Sequence, residues 1–366
     1  MKINPFKFGT VVDDPFFTDR TVELERVKEI LASNNHLAII SPRRFGKTSL
    51  IRKAVRESDR KVLMMDLQLI NSPEDFAAQY LRRIYRLFPL ERIRQGILKF
   101  RIIPVVSLNP ATNEVDIAFE PGAPPHPYIE DVLNLLEKLA SPGHRPIVIL
   151  DEFQEIGRLD PAMGNMLRAV MQNHTRINYV FLGSQESMMR EIFEKKKSPF
   201  YHFGIVMSLP KIGQEAFYEY VSDRLKGMTK NYRAISASVV SFTGGHPYYT
   251  QQLAFAVWNI LHRNPAAPDP VSEAIEETIT MHDLDYERLW ATFLNTDRKI
   301  LIGLTRNETP ALSAKFAKMV RIHAQSTIFS GLKRLVAKGY LIQTGNLYDF
   351  DDPFFRQWII RRRETY

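Results

Sequence analysis

Short apolar runs alternate with amphipathic segments over roughly the first 210 residues. The apolar runs at 37–40, 62–67, 147–150, 179–182 and 205–209 have the length and composition of buried strands. Apolar side chains recur at helical spacing in the segments between them. Strands that alternate with helices predict a parallel sheet covered by helices on both faces, and therefore the α/β fold class.

After residue 213 the pattern becomes helical, with a proline-rich break at 264–270 that predicts a loop or an inter-domain linker. Residues 285–366 predict a helix–turn–helix followed by two short strands around a Gly345-Asn346 turn, which is typical of a winged helix. The region 99–127 is weakly periodic and predicts an insertion or an irregular hairpin. We therefore predict three domains, at 1–212, 213–284 and 285–366.

Composition narrows the class of protein. Hydrophobic residues make up 45% and charged residues 25% of the chain, as in ordinary globular proteins. The absence of cysteine excludes a disulfide scaffold and thiol catalysis. No stretch approaches the roughly 18 uncharged apolar residues of a membrane span, and no apolar run follows the first lysines. We therefore expect no membrane partner and no signal peptide, and predict a cytoplasmic protein.

Positive charge is concentrated near the end of the chain. The net charge is +8, from 49 lysines and arginines against 41 aspartates and glutamates. Residues 1–290 carry a net charge of +1, whereas residues 291–366 carry 13 basic and 6 acidic side chains, a net charge of +7. This asymmetry favours an anionic partner for the C-terminal segment, such as nucleic acid.

A phosphate-binding loop is predicted directly after the first apolar run. Gly46, Lys47 and Thr48 keep the last three positions of the pattern G-x-x-x-x-G-K-[ST], although Ser41 occupies the first glycine position. Glycine lets backbone N–H groups face phosphate oxygens, lysine supplies charge to the β- and γ-phosphates, and the threonine hydroxyl can bind Mg²⁺. The alternative is a chance Gly-Lys-Thr at a helix start. The predicted nucleotide contacts in this loop are Ser41, Pro42, Arg43, Arg44, Phe45, Gly46, Lys47, Thr48 and Ser49.

Two carboxylates end the most apolar run of the chain. Asp151, at the end of this run, is placed to hold Mg²⁺ together with Thr48. Glu152 follows it, where a carboxylate could polarise an attacking water as a general base. A solvated helix cap would be the ordinary reading of Asp-Glu alone. Because a phosphate-binding loop precedes it by about a hundred residues, we predict Glu152 and Lys47 as catalytic residues.

A third polar position follows the next strand. Gly183 and Ser184 end the run at 179–182, where a polar side chain could sense the γ-phosphate. An ordinary strand-to-helix turn would use the same residue types. We predict Ser184 as a nucleotide contact because it ends the strand that follows the Asp151-Glu152 strand along the chain.

Six segments together resemble the archaeal-type ATPases of the AAA+/STAND lineage of P-loop ATPases. They occur in the family's order from residue 17 to residue 358, so the resemblance covers nearly the whole chain. The segments are Phe17-Thr18-Asp19-Arg20, Ser41 to Leu50, Leu150-Asp151-Glu152-Phe153-Gln154, Leu182-Gly183-Ser184, Gly244-Gly245-His246-Pro247-Tyr248-Tyr249 and Asp352 to Trp358.

This resemblance implies a P-loop NTPase core with a five-stranded parallel sheet, a helical lid domain and a C-terminal winged-helix domain. It also implies ATP as ligand and Mg²⁺ as cofactor. Carried over to this sequence, Asp19 and Arg20 lie near the base, and Gly245 to Tyr248 cover the adenine and ribose, with Pro247 as the base contact. Residues 199–204 lack the arginine that many relatives carry there, which puts a trans-acting arginine in doubt.

The second helix of the helix–turn–helix is the candidate nucleic-acid interface. A helix at 325–338 could enter a major groove while nearby basic side chains neutralise phosphates, among them Arg361-Arg362-Arg363. Winged helices also serve as protein-docking modules, and the predicted wing contains no lysine or arginine. Contact with double-stranded DNA and contact with another protein both remain open. The candidate DNA contacts are Gln325, Ser326, Ser330, Lys333 and Arg334.

Three functions fit these observations. The first is an ATP-hydrolysing switch, in which the nucleotide state, ATP or ADP, repositions the winged helix. The second is a nucleic-acid motor or loader that grips duplex DNA. The third is a nucleotide-dependent scaffold for protein interactions, with negligible turnover and no DNA binding. Glu152 argues against the third, because a protein that only binds nucleotide needs no positioned carboxylate.

Overall fold

The computed structural model describes residues 3–108, 115–119, 122, 124–141, 143–306 and 309–363. The chain divides into two compact units. The sheet unit comprises Arg20–Ser41 and Lys47–Leu209, and the helical unit comprises Met1–Asp19, Pro42–Gly46 and Pro210–Tyr366. The tip of the predicted phosphate-binding loop is therefore grouped with the helical unit.

The sheet unit alternates strands and helices along the chain, as the sequence predicts. Its elements are α1 Thr21–Ala32, β1 Leu37–Ile40, α2 Lys47–Arg56, β2 Val62–Asp66, α3 Pro73–Leu87, α4 Leu90–Ile97, β3 Val105–Leu108, β4 Val115–Ala118, α5 Pro125–Leu139, β5 Ile147–Asp151, α6 Ile156–Leu159, α7 Met163–Met171, β6 Asn178–Gly183, α8 Glu186–Glu194 and β7 Ile205–Ser208.

Five of these strands form one parallel sheet, in the order β2-β5-β6-β1-β7. All four residues of β1 and all six of β6 are buried, as continuous apolar strands between two helical layers should be. The parallel arrangement brings the carboxyl ends of β1, β5 and β6 to the same edge of the sheet. The polar residues that follow these three strands therefore converge there.

The predicted insertion at 99–127 is confirmed in part as a hairpin. Strands β3 and β4 pair in antiparallel fashion, with Val105 opposite Ala118 and Leu108 opposite Val115. Residues 109–114, 120, 121 and 123 of this region lie outside the described part of the chain. Ile117 and Phe119 are buried in the core of the sheet unit, which attaches the hairpin to the rest of the unit.

The helical unit contains the remaining elements. They are α9 Gln214–Leu225, α10 Tyr232–Thr243, α11 Pro247–Arg263, α12 Pro270–Ala291, α13 Asn295–Thr305, α14 Ala314–Met319, α15 Gln325–Ala337, β8 Leu341–Thr344, β9 Leu347–Phe350 and α16 Pro353–Arg363. Helices α13 to α15 with the antiparallel β8–β9 hairpin form the winged helix. One apolar core runs through the whole unit, with Leu253, Leu332 and Trp358 among its fully buried side chains.

The proline-rich break is a short loop, the first of its two predicted alternatives. It covers residues 264–269 between α11 and α12 within the helical unit, and residue 270 is the first of α12. The predicted boundary at residue 285 falls inside a helix, because α12 runs without a break from Pro270 to Ala291. The division into three domains stays a prediction.

Among the described residues, no helix is both long enough and apolar enough to cross a membrane. The cytoplasmic location stays a prediction.

Candidate nucleotide site

The loop between β1 and α2 has the backbone conformation that phosphate binding requires. Arg44 and Gly46 have positive φ angles of 65° and 89°. Positive φ turns successive N–H groups toward one side, and the N-terminus of α2, with its partial positive charge, follows directly. A Cβ atom built on Gly46 would meet nothing within 4 Å. The loop therefore leaves open space beside the residue where a phosphate group would approach.

Lys47 points back into this loop. Its Nζ donates to the backbone carbonyl of Ser41 at 2.7 Å, and its side chain is buried. The backbone N–H of Ser41 in turn donates to the carbonyl of Gly183 on β6, at 3.4 Å. The ammonium group is thus held within the loop by the residue that replaces the usual first glycine.

Thr48 and Asp151 meet at the edge of the sheet. The Thr48 hydroxyl donates to Asp151 Oδ2 at 3.0 Å. Burial raises the pKa of the Asp151 carboxyl, while the Thr48 hydrogen bond and the charge of Lys47 oppose that shift. A bound cation would relieve the burial cost of this carboxylate. One hydroxyl and one carboxylate oxygen fit Mg²⁺, which takes few protein ligands and keeps water and phosphate oxygens for the rest.

Glu152 is held by two side-chain donors. The Ser184 hydroxyl donates to Glu152 Oε2 at 2.6 Å, and Gln154 Nε2 donates to the same oxygen. The backbone of Glu152 has φ 51° and ψ 47°, in the left-handed region that non-glycine residues rarely adopt. Such strained residues concentrate at functional sites. The structure thus links the predicted base directly to the predicted sensor.

The other nucleotide contacts predicted in the sheet unit have different surroundings. Arg20 is buried, and its Nη1 lies 2.7 Å from Glu23 Oε1 in an ion pair. Ser49 is buried on α2, one position beyond Thr48. The structure brings Lys47, Thr48, Asp151, Glu152 and Ser184 together at one edge of the sheet, and their roles toward a nucleotide stay predictions.

Within the helical unit, the loop tip contacts the start of α11. Pro42 is half-buried and Arg43 is exposed. The guanidinium of Arg44 lies 4.3 Å from the centre of the Tyr248 ring and donates to the Tyr249 hydroxyl at 3.3 Å. The buried Phe45 ring packs edge-on against His246, with 4.8 Å between ring centres. Pro247, the predicted base contact, is the first residue of α11.

His246 lies in the segment Gly245 to Tyr248, which the family resemblance places over the adenine and ribose. Its Nδ1 accepts from the backbone N–H of Tyr248 at 3.2 Å and thereby caps α11. Because Nδ1 accepts, the proton of the neutral ring is on Nε2, which faces Asp351 Oδ1 at 3.5 Å. Burial lowers the pKa of His246, and Asp351 opposes the shift. The histidine thus joins the loop tip to the residues that precede α16.

Asp352 stabilises the start of α16. Its Oδ1 accepts from the backbone N–H groups of Phe354 and Phe355, and its Oδ2 accepts from the Tyr286 hydroxyl at 3.0 Å. Burial raises the pKa of the Asp352 carboxyl. The Asp-Pro-Phe-Phe string carried part of the family resemblance, and its aspartate acts here as a helix cap.

The predicted DNA contacts on α15 fall into two groups. Gln325, Ser326, Ser330 and Lys333 are exposed. Arg334 makes a two-pronged ion pair with Asp297, a carboxylate that is almost completely buried. Four of the five candidates are therefore accessible, whereas Arg334 is engaged inside the winged helix.

The three terminal arginines are also paired within the protein. Arg361, Arg362 and Arg363 on α16 form ion pairs with Glu276, Asp283 and Glu287 of α12, respectively. Those acidic partners precede residue 291. Counting the charge of residues 1–290 and 291–366 separately therefore assigns each arginine and its partner to different segments. Counted from the start of α12, residues 270–366 carry 14 basic and 12 acidic side chains, a net charge of +2. The charge asymmetry is therefore a weak argument for a nucleic-acid partner.

Two family models match this chain. Residues 17–253, about two thirds of the sequence, match the model of an ATPase domain predominantly from Archaea. The chain belongs to this archaeal ATPase family. Residues 284–361 match a probable winged helix domain, so the ATPase domain is followed by a winged helix in the same chain. Membership of an ATPase family with a P-loop implies nucleotide binding.

Solved structures share this fold at low sequence identity. A Walker-type ATPase of Pyrococcus abyssi is 16% identical, with a TM-score of 0.65 over 95% of this chain and 97% of that one. The ORC2 protein of Aeropyrum pernix, solved with ADPNP and ADP, is 16% identical, with a TM-score of 0.55 over 99% and 100%. The ORC1 protein of the same organism, solved with DNA, is 13% identical, with a TM-score of 0.52 over 98% and 97%. Comparison with curated protein sequences gives no significant match.

Proposed function

We propose that this protein binds ATP with Mg²⁺ and hydrolyses it to ADP and phosphate. The observation that carries the proposal is the set of side chains at the carboxyl ends of β1, β5 and β6. Thr48 and Asp151 share a hydrogen bond of 3.0 Å, and Glu152 and Ser184 share one of 2.6 Å. A hydroxyl and a carboxylate that can hold Mg²⁺, beside a further polar group that can orient the attacking water, suit phosphoryl transfer to water.

The protein would bind the phosphates through the loop and α2. Backbone N–H groups around Gly46 and the ammonium of Lys47 would neutralise phosphate charge. The hydrogen bond to the Ser41 carbonyl uses one of the three N–H donors of Lys47. Thr48 and Asp151 would hold Mg²⁺, which when bound supplies positive charge to the phosphate oxygens. These groups would act by positioning and by electrostatic stabilisation.

Glu152 would accept a proton from the attacking water. It directly follows the proposed metal ligand Asp151, and a general base must lie within hydrogen-bond reach of the water it activates. Ser184 would sense the γ-phosphate indirectly. Its single hydroxyl proton is donated to Glu152, so a phosphate oxygen would have to compete for it. This competition would link the presence of ATP to the state of the base.

Two substitutions test the enzymatic proposal. We expect Glu152→Gln to abolish phosphate release and to leave ATP bound, because the amide cannot accept the proton. We expect Lys47→Ala to weaken ATP binding, because the loop loses its main charge. Arg52→Ala, which removes an exposed cation from the same helix, serves as the control and should do neither. Wild-type protein that binds ATP without releasing phosphate would instead support the scaffold function.

We also propose that nucleotide state repositions the winged helix, and that the winged helix contacts duplex DNA through α15. The contacts from Arg44 and Phe45 to α11, and from His246 to Asp351, support the first part. The exposed row of Gln325, Ser326, Ser330 and Lys333 supports the second. The structurally similar ORC1 protein was solved with DNA.

A salt titration tests the DNA proposal. Affinity for a duplex, measured with and without ATP, should fall steeply as salt rises, because phosphate contacts release counterions. Tight binding that depends on ATP would support both parts. A protein that shows no salt-dependent affinity for duplex DNA would leave protein docking as the function of the winged helix.

A further inference from the structure

A buried amide side chain contacts the proposed base. Gln154 lies two residues after Glu152, in the short 3-10 turn Phe153–Glu155, and is only 3% exposed. Its Nε2 donates to Glu152 Oε2, the oxygen that also accepts the Ser184 hydroxyl. Two donors from different elements thus converge on one oxygen of a single carboxylate.

The other carboxylate oxygen has a different environment. Among the described residues, no side chain or backbone group donates to Glu152 Oε1. Glu152 as a whole is half-buried. A carboxylate whose one oxygen accepts two hydrogen bonds keeps the other oxygen available to accept a proton from water. The hydrogen bonds therefore distinguish the two oxygens of Glu152.

We propose that Gln154 is a positioning residue that fixes Oε2 of Glu152 so that Oε1 faces the attacking water. This inference rests on the proposed ATPase function. Gln154 touches neither the nucleotide nor the water and acts through Glu152. Ser184 holds the same oxygen with a proton for which the γ-phosphate competes, whereas Gln154 has no such competitor. The Glu152 carboxylate thus keeps its orientation when the Ser184 hydroxyl donates to the phosphate instead.

The surroundings of Gln154 show that stability does not explain this residue. Its Oε1 is buried and accepts no hydrogen bond from any described residue, which is costly for a folded protein. A Cβ atom built on Gly183 would lie 2.6 Å from that same oxygen, so the amide is closely packed on β6. An apolar side chain of equal length would fill the same space without an unpaired acceptor. The amide group is therefore explained by its N–H donor to Glu152.

Two near-isosteric substitutions test the proposal. Gln154→Met keeps the length and removes both the donor and the unpaired acceptor. We expect kcat for ATP hydrolysis to fall about ten- to a hundredfold, as for other residues that orient a functional group. KM should stay within about twofold, and the midpoint of unfolding should be unchanged or higher, because an unpaired buried acceptor is lost. Gln172→Met, at an exposed glutamine on the surface, is the matched control and should leave kcat unchanged.

Gln154→Glu gives a readout that a purely structural role would not affect. The introduced carboxylate has the length of the glutamine but repels Glu152 instead of donating to it. We expect kcat to fall at least as far as in Gln154→Met, while KM stays within about twofold, because the substitution acts on the base and not on the nucleotide.

The possible results separate the two proposals. The positioning role is overturned if Glu152→Gln abolishes hydrolysis while Gln154→Met keeps wild-type kcat. It is also overturned if Gln154→Met lowers stability and kcat together and Gln154→Glu keeps the wild-type kcat. Wild-type protein without ATP hydrolysis would reject the ATPase function itself, and the positioning role with it.

Discussion

At the scale of single residues, the partner of a charged side chain determines what that side chain can bind and how much its substitution costs. Arg334 lies on α15, the helix that we predict to contact DNA, yet its guanidinium binds Asp297, whose side chain is 4% exposed. Arg334 itself is 34% exposed. A buried carboxylate that loses its partner pays the cost of desolvation, whereas a partly exposed guanidinium can turn to water. The two members of this pair should therefore respond unequally to substitution.

We predict that Arg334→Met destabilises the protein more than Asp297→Asn. The first change leaves a buried carboxylate without its counter-charge, at a cost of about 3 kcal/mol. The second keeps an oxygen that can accept from Arg334 and should cost about 1 kcal/mol. Unfolding midpoints in denaturant measure both. Equal losses would indicate that Asp297 is not desolvated in the folded protein.

At the scale of elements, the site lies at the carboxyl ends of parallel strands, and a histidine links two of these strands, β1 and β6. His36 directly precedes β1, and its Nδ1 accepts from the backbone N–H of Tyr179 on β6 at 3.2 Å. Its ring also packs against Phe203. Burial lowers the pKa of His36 to about 4, and the charges of His174 and Arg168 add to the shift. The neutral ring is therefore part of the folded structure.

This shift predicts a pH dependence of stability. Because the pKa of His36 is about 4 in the folded chain and about 6.5 in an unfolded one, the unfolded chain binds the proton first as pH falls. The stabilisation is complete above pH 6.5 and is lost between pH 6.5 and about 4, by up to about 3 kcal/mol.

His36→Gln should remove this part of the acid sensitivity. The comparison is the change in unfolding midpoint between about pH 7 and pH 5. His144→Gln, at an exposed histidine of the same unit, should keep the wild-type dependence. A His36→Gln variant that stays as acid-sensitive as the wild type would contradict the assignment.

The sequence predicts those parts of the site that depend on a short motif or on a position at the end of a strand. Lys47 and Thr48 follow from a motif, and Asp151 from its place at the end of an apolar strand, because parallel strands align their carboxyl ends. The role of Gln154 depends on a side chain that folds back within one turn, and no spacing rule encodes that contact. The partner of Arg361 is 85 residues away, on a helix that the predicted boundary at residue 285 divided.

At the scale of the whole molecule, the distribution of charge depends on which helices pack together. The net charge of +7 for residues 291–366 becomes +2 when α12 is counted with its partner α16. Ion pairs between side chains in the same protein leave little charge for an external ligand. A nucleic-acid contact would therefore come from cations that pair with no acidic side chain in the described part of the chain, such as Lys333, rather than from Arg361, Arg362 and Arg363.

This distinction predicts different salt dependences for two single substitutions. If α15 contacts duplex DNA, Lys333→Gln should reduce the slope of log affinity against log salt by about 1, the value for one lost phosphate contact. Arg361→Gln, which removes a cation paired with Glu276, should leave the slope unchanged. Equal slopes for wild type and Lys333→Gln, with DNA still bound, would place the DNA contact elsewhere.

The arginines of α16 neutralise acidic side chains on α12. A chain cut after Ile360 would lose Arg361, Arg362 and Arg363 and uncover three carboxylates on α12. The uncovered surface would repel a polyanion across about 10 Å at moderate salt. Shortening the protein by six residues would therefore weaken any affinity for DNA without removing a single DNA contact. Because salt screens the repulsion from the uncovered carboxylates, the difference in affinity between the shortened and the full chain would narrow as salt rises.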